Sequence, residues 1–393
     1  MANRNLNDAA KNKNDEFYTQ YDDIQREMNC YYLYNKDFLR GKTVLLPCDD
    51  PEWSMFTEFF VQNFEIYGLK KLISTSYAKN SKKFIFNPQI SLFESESPKF
   101  DAKITDFHGK IFTLTQEDYV HGAKYPNKLQ WDYLQGDGDF RSDEVKALRD
   151  EADVIITNPP FSLFREFLKW INPDEKNFLI IGNINCITYK EVFPLIMQDK
   201  IWLGNGMGRW ISGFIVPEGY ELYGTEARIN EKGKRIVATN QCLWLTNLEH
   251  GKRHEPLKLM PMAHNLLYNP KMKNLNEYQK YDNYDAIEVP ATDAIPDDYN
   301  GVMGVPITFL DKYCPEQFEI VGITKTPLCG DLRTKIYSKQ IQHNLNKSAV
   351  VTKLNDGACI FSENVPEKFP YYEVDGKFYV ALYPRILIRR RQE

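Results

Sequence analysis

No stretch of the 393 residues approaches eighteen consecutive apolar side chains, so no membrane-spanning helix is expected. The seven cysteines, at positions 30, 48, 186, 242, 314, 329 and 359, never fall within four positions of one another. That spacing excludes a CxxC redox pair and a zinc ribbon, and no metal site is expected. An odd number of dispersed thiols fits a reduced, cytoplasmic setting. The opening residues, MANRNLNDAAKNKNDE, lack an apolar core and do not read as a secretory signal. Internal repeats and low-complexity tracts are absent as well.

What is present is an ordinary globular composition, 42% hydrophobic and 26% charged, with length enough for two domains. Aromatic residues reach 14%, which suits dense cores and also suits stacking on nucleobases. A net charge of −5 argues against a basic coat over the whole surface, though not against a local basic face. Residues 1–200 carry 25 Lys+Arg against 31 Asp+Glu; residues 201–393 carry 24 against 23. A polyanion-facing surface is therefore expected in the second half.

Along the chain, DEFYTQYDDIQREMNCYYLY from Asp15 reads as a helix. KTVLLPC is an apolar strand, followed by the acidic turn DDPEWS and a helix closed by Gly68. LKKLISTS is the next strand, and KKFIFN and GKIFTLT are short strands beyond it. Ser142 is a candidate N-cap for the helix after the Gly-Asp turn GDGDF. Then DVIITN, FSLFREFLKWI, NFLIIGNINCI and YKEVFPLIMQDK alternate as strand, helix, strand and helix. This rhythm predicts an α/β fold with a mostly parallel sheet covered on both faces. RIVATNQCLWLTNL reads as one last strand of that sheet, and a boundary is placed near residue 255. GNGMGRW opens no helix after the first strand, so it is no dinucleotide fingerprint and reads as a flexible loop.

In such sheets ligands bind beyond the carboxyl ends of the strands. PCDDPEWS and NPPF occupy such ends, and GDGDF is expected to join them. NPPF, Asn158 to Phe161, raises a specific chemical possibility. An exocyclic amine such as adenine N6 is a poor nucleophile, because its lone pair is delocalised into the ring. Two acceptors aimed at its N–H groups favour the tetrahedral form and free that lone pair. The Asn158 side-chain oxygen and the Pro159 carbonyl can supply them, since proline keeps its C=O. Fixed dihedrals at Pro159 and Pro160 hold this corner without reorganisation, and Phe161 offers a face for the base.

NPPF in this place resembles the catalytic motif of S-adenosylmethionine-dependent amino-methyltransferases. DEFYTQYDDI, LLPCDDPEWS, GDGDFRSDE, ITNPPFSLF, NQCLWLTNLEH, GVPITFLDKYCPEQFEIVGI and PRILIRRR together resemble the EcoRI-type DNA adenine-N6 methyltransferases, in family order over most of the chain. The resemblance implies a Rossmann-like catalytic domain, residues 1–255, with S-adenosylmethionine as methyl donor. It also implies an α+β target-recognition region, residues 256–393. The target-base site becomes Asn158, Pro159, Pro160 and Phe161. Pro47, Cys48, Asp49 and Asp50 line the methionine end of the cofactor, and Phe17, Tyr18 and Thr19 in the N-terminal helix close over its carboxylate. Asp139 and Phe140 hold its adenine, by carboxylate and ring. Two departures from the wider methyltransferase pattern stand out: PCDDPEWS replaces its glycine-rich FxGxG loop, and LISTSYAK lacks the acidic residue expected for the ribose, whose ligand stays unassigned.

The partner so implied is double-stranded DNA, with a flipped adenine and a target of GAATTC by family resemblance. The resemblance leaves room for a restriction endonuclease sharing the site without forming a stable subunit, and a monomer is expected. For DNA contact the sequence offers KGKR (232–235), Lys252 and Arg253, the Lys/Arg-bearing stretch 324–339, Arg385 and Arg389 to Arg391. Three alternatives stay open on the residues alone: methylation of a protein glutamine amide, a catalytically silent DNA binder, and a cytosine-N4 target.

Overall fold

The computed structural model describes residues 18–78, 102–119, 130–216, 227–229, 235–237, 241–273, 275–325, 328 and 330–392. Expectations for KKFIFN and for Phe17 lie outside these. Among the described residues no helix is long and apolar enough to cross a membrane. The chain forms two compact units: Met1–Cys186 with Lys200–Gly251, and Ile187–Asp199 with Lys252–Glu393.

The first unit is built on an eight-stranded sheet. In chain order its strands are β1 (Thr43–Leu46), β2 (Lys71–Thr75), β3 (Lys110–Thr115), β4 (Asp132–Tyr133), β5 (Val154–Thr157), β6 (Asn177–Asn183), β7 (Trp202–Met207) and β8 (Cys242–Thr246). In space they run β4-β3-β2-β1-β5-β6-β8-β7. β2, β1, β5 and β6 are mutually parallel, whereas β3, β4, β8 and β7 join antiparallel. The sheet is therefore mixed rather than mostly parallel. Direction was hidden because β8, Cys-Leu-Trp-Leu-Thr, is buried along its whole length, as central strands of either sense are.

Both faces of the central strands are covered. Val44 and Leu46, Val154 and Ile156, and Leu179 and Ile181 point into one core, as the two-residue period requires. That core is filled by Ile24, Met28 and Tyr31 of α1 (Tyr21–Tyr34) and by Phe56, Phe59 and Phe60 of α2 (Met55–Gln62). On the opposite face Leu45, Ile155 and Ile180 are also fully buried. α3 (Asp143–Glu151) starts at Ser142, whose hydroxyl accepts from the Val145 N–H. α4 (Phe164–Ile171) follows NPPF after one 3₁₀ turn.

Four local expectations are corrected. The N-terminal helix begins at Tyr21, because Gln20 is an extended N-cap and Asp22 and Asp23 favour the first turn. Tyr18 and Thr19 instead form a short strand against Ile215 and Phe214. RIVATNQCLWLTNL is two strands: Arg235–Val237 belongs to a separate four-stranded sheet, and only Cys242–Thr246 to the large one. GNGMGRW is no loop at its start, since Gly204 to Met207 are strand β7. A Cβ on Gly204 would stand 2.2 Å from Glu27 Oε1, so the glycine serves close approach. Lastly, the helix in YKEVFPLIMQDK covers only Phe193–Met197, with Pro194 in its first turn, where proline is tolerated.

The second unit carries a four-stranded sheet (Ile287–Glu288, Met303–Pro306, Arg385–Arg390, Phe318–Ile323) and a five-stranded one (Ser348–Val351, Gln340–His343, Tyr371–Val374, Lys377–Ala381, Cys359–Ser362). Several basic residues offered for DNA contact are engaged internally here. Arg253 is buried and pairs with Asp199 at 2.6 Å, and Lys252 pairs with Asp311 at 2.7 Å. Arg385 pairs with buried Glu288 at 2.7 Å, Lys335 with Asp282 at 2.6 Å, and Arg390 donates to the Asp297 carbonyl. Residues 232–234 lie outside the described set; Arg235 stands in its strand.

Candidate active site

The strand order turns outward in both directions from β1: β2 lies on one side and β5 on the other. At such a switch point the loops leaving adjacent strands part and open a crevice. The loop leaving β1 is Pro47–Ser54 and the loop leaving β5 is NPPF. They are joined directly, for Thr157 Oγ1 donates to Asp49 Oδ2 at 2.6 Å.

Asp49 is the centre of the first loop. Its side chain is buried, and Oδ1 accepts from Ser54 Oγ at 2.7 Å. Ser54 also caps α2 by accepting from the Phe56 N–H. The Asp49 N–H donates to the Thr75 carbonyl, and Thr75 Oγ1 donates to the Pro47 carbonyl, so the loop runs along the end of β2. Burial pushes the Asp49 carboxyl up to about 7; the Thr157 and Ser54 hydroxyls oppose this, and neighbouring Asp50 adds to it. Asp50 turns the chain by accepting from the Glu52 N–H, and its other oxygen meets Lys110 Nζ at 3.2 Å. Lys110 is buried, reaches Glu52 at 2.6 Å, and lies 4.9 Å from the Trp131 ring centre. Pro47 is buried, while Cys48 is partly exposed.

In the second loop Asn158, Pro160 and Phe161 are half-buried and Pro159 is buried. Pro160 has φ −56° and ψ 120°, and its carbonyl accepts from the Leu163 N–H at 3.0 Å, which starts the turn into α4. The Phe161 ring meets the Phe214 ring edgewise, with centroids 6.1 Å apart.

GDGDF packs at the end of β2. Gly138 has φ +80°, and a Cβ there would lie 2.1 Å from the Ser76 carbonyl, so only glycine fits this contact. Ala78 donates to the Asp137 carbonyl at 2.7 Å, and Glu144 of α3 accepts from the Gln135 and Gly136 N–H groups. The Asp139 carboxylate accepts from Arg141 Nε at 3.0 Å and Nη2 at 2.7 Å, and the Arg141 hydrogen bonds hold its pKa below the usual range. Phe140 is buried against Phe167 and Trp170 of α4, at 5.1 and 5.6 Å, with the Arg141 guanidinium 5.4 Å from its ring centre. So Asp139 has a cationic partner, Arg141, that sequence reasoning did not assign, and Phe140 anchors its loop from the core.

Of the N-terminal triplet, Phe17 lies outside the described residues. Thr19 is buried, and its Oγ1 has no hydrogen-bond partner among the described residues. A buried hydroxyl in that state is one a ligand can satisfy. Sequence reasoning missed Thr157, which a fully apolar strand reading absorbed, and also Ser54, Lys110 and Phe214. The signal for Ser54 was its place as N-cap before an apolar helix.

Residues 5–391 match the family described as Adenine-specific methyltransferase EcoRI. The chain is 47% identical to the Type II methyltransferase M.EcoRI of Escherichia coli, over 86% of this chain and 98% of that protein. It is 35% identical to M.MgeORF184P of Mycoplasma genitalium, over 85% and 91%, and 32% identical to M.MpnI of Mycoplasma pneumoniae, over 84% and 90%; both are Type II methyltransferases. No solved structure matches. The family description favours adenine over the glutamine and cytosine alternatives, and the family and the relatives favour an enzyme over a silent binder. The chain belongs to the EcoRI family of adenine-specific methyltransferases.

Proposed function

We propose that this methyltransferase acts on N6 of an adenine flipped out of double-stranded DNA, at the crevice between the β1 and β5 loops. The observation that carries the reading is the hydrogen bond from Thr157 to Asp49, which fixes NPPF beside the acidic loop. The parallel β2-β1-β5-β6 block, with ligand loops at its switch point, supports a Rossmann-like arrangement.

S-adenosylmethionine supplies an electrophilic methyl on a positively charged sulfur. The residues present suit that group. Asp49 offers a carboxylate of opposite charge, and Thr19 a hydroxyl in need of a partner. Tyr18, with Phe17 before it, and Pro47, Cys48 and Asp50 complete the methionine end. Asp139 takes the adenine end by accepting the amine in exchange for part of its contact with Arg141, and Phe140 backs that wall.

At the target site the Asn158 side-chain oxygen and the Pro159 carbonyl accept from the two N6 hydrogens. This draws the nitrogen toward the tetrahedral form and leaves its lone pair free to attack. The stiff Pro-Pro corner keeps both acceptors placed before the reaction begins. Phe161 stacks on the base, which offsets part of the few kcal/mol that unstacking from the duplex costs. No covalent enzyme intermediate is required. Residues 256–393 are assigned to target recognition.

Single-molecule sequencing of DNA from cells expressing the protein tests this. N6-methyladenine at one short motif, GAATTC by family resemblance, is expected with the wild type and absent with Asn158→Ala. An unmodified genome under wild-type expression would overturn the reading.

A further inference from the structure

α1 carries two buried carboxylates one turn apart, Asp23 and Glu27. Glu27 binds the last residues of β7, and Asp23 binds the segment that leaves it. Glu27 accepts from the Asn205 and Gly206 N–H groups, each at 2.8 Å, and from Tyr31 Oη at 2.8 Å. One turn earlier, Asp23 Oδ2 accepts from the Ser212 N–H at 2.9 Å and from Ser212 Oγ at 2.8 Å. Gln20 adds donations to Ser212 Oγ at 2.6 Å and to the Gly213 carbonyl at 3.0 Å. Tyr18 and Thr19 then pair as a strand with Ile215 and Phe214. Arg26, beside Asp23 at 3.4 Å, donates to the Trp210 carbonyl at 2.7 Å.

All these contacts hold one stretch, residues 205–215, and that stretch delivers the Phe214 ring to Phe161. Two carboxylates taken out of water are costly unless each is fully hydrogen-bonded. Here both are satisfied mainly by backbone N–H and hydroxyl donors of the same returning segment. A buried acceptor of this kind fixes its partner's position more firmly than apolar packing, because moving the partner leaves the charge unsatisfied.

We infer that Asp23 and Glu27 are positioning residues for methyl transfer: they clasp residues 205–215 to α1 and so set Phe214, which sets the Phe161 platform for the target base. The inference rests on the reading of Phe161 given above. Asp23 holds Ser212 through acceptor geometry, since both contacts to Ser212 use Oδ2, while Oδ1 meets Arg26 at 3.4 Å. An asparagine can present the same oxygen; an alanine cannot.

The test is a comparison of Asp23→Ala, Asp23→Asn and Ser212→Ala with the wild type, reading kcat, KM and S-adenosylmethionine Kd. The substrate is unmethylated genomic DNA, and the readout is incorporation of a radiolabelled methyl group. Asp23→Ala is expected to lose about 10- to 100-fold in kcat, the scale of a small misplacement of a reacting group, with Kd for S-adenosylmethionine within about 2-fold. Asp23→Asn is expected to stay within about 3-fold of wild type in kcat, and Ser212→Ala to fall between the two. Wild-type kcat in Asp23→Ala overturns the inference, as does Asp23→Asn as impaired as the alanine variant. If Asp23→Ala does not fold, the Asn and Ser212→Ala variants decide: a kcat in Ser212→Ala equal to wild type overturns it. Asn158→Ala separates this from the parent reading. Loss of turnover there with none in Asp23→Ala removes only the clasp; retained turnover in Asn158→Ala removes the site assignment itself.

Discussion

The hydroxyl of Thr157 donates to the carboxylate of Asp49 at 2.6 Å, so the last residue of β5 is tied to the loop that leaves β1. The two loops assigned to opposite reactants therefore share one buried hydrogen bond. Thr157→Val keeps the shape and removes the donor. Loss of one hydrogen bond to a buried carboxylate costs about 1–3 kcal/mol. A lower denaturation midpoint and a weaker S-adenosylmethionine Kd are expected in calorimetry, with unchanged values counting against the tie.

Asp49 also sets a pH dependence. Its carboxyl is pushed up to about 7 by burial, from an ordinary value near 4. A raised folded pKa means that the neutral form stabilises the fold at low pH and that this stability is lost as pH rises toward 7. Asp49→Asn does not titrate, so it should gain on the wild type by about 2 kcal/mol or more between pH 5 and pH 8, read from denaturant unfolding. The cationic sulfonium favours the ionised carboxylate. S-adenosylmethionine binding should therefore strengthen through pH 7 in the wild type and be flat in Asp49→Asn.

Gly138 offers a test of the adenine end. Its φ of +80° and the 2.1 Å approach to the Ser76 carbonyl leave no room for a methyl group. Gly138→Ala is expected to cost about 1–3 kcal/mol in stability and to weaken S-adenosylmethionine binding, because it displaces Asp139. A stable variant with wild-type affinity would contradict the placement of GDGDF.

Asp139 itself is held by Arg141 through two side-chain hydrogen bonds. Asp139→Ala should weaken S-adenosylmethionine binding about 10-fold, the scale of one charge-assisted hydrogen bond. Arg141→Ala should not weaken it, since the carboxylate is then released to the ligand. Titration calorimetry of both variants separates a ligand-facing carboxylate from a purely structural ion pair.

How much of this was legible beforehand varies with the kind of signal. The central strands at Val44, Ile155 and Ile180 were readable because continuous apolar runs have few other fates in an α/β chain. Ser142 as an N-cap was readable because a hydroxyl before an acidic first turn has a local mechanism. The antiparallel sense of Cys242–Thr246 was not readable, since burial on both faces looks the same in either direction. Gly204 to Met207 looked like a loop because glycines usually mean turns; here Gly204 admits Glu27, a partner 177 positions away. The internal roles of Arg253 and Arg385 were equally hidden, because Asp199 and Glu288 lie far off in sequence. Where a residue's purpose was local, sequence revealed it; where a distant partner set it, only the fold did.

The most direct measurement is single-turnover methyl transfer by Asn158→Ala alongside its S-adenosylmethionine Kd. Removing one preorganised acceptor should slow the methyl-transfer step by about 100-fold or more while leaving Kd within about 2-fold. A transfer rate equal to wild type would contradict the assignment of NPPF as the site where the adenine amine reacts.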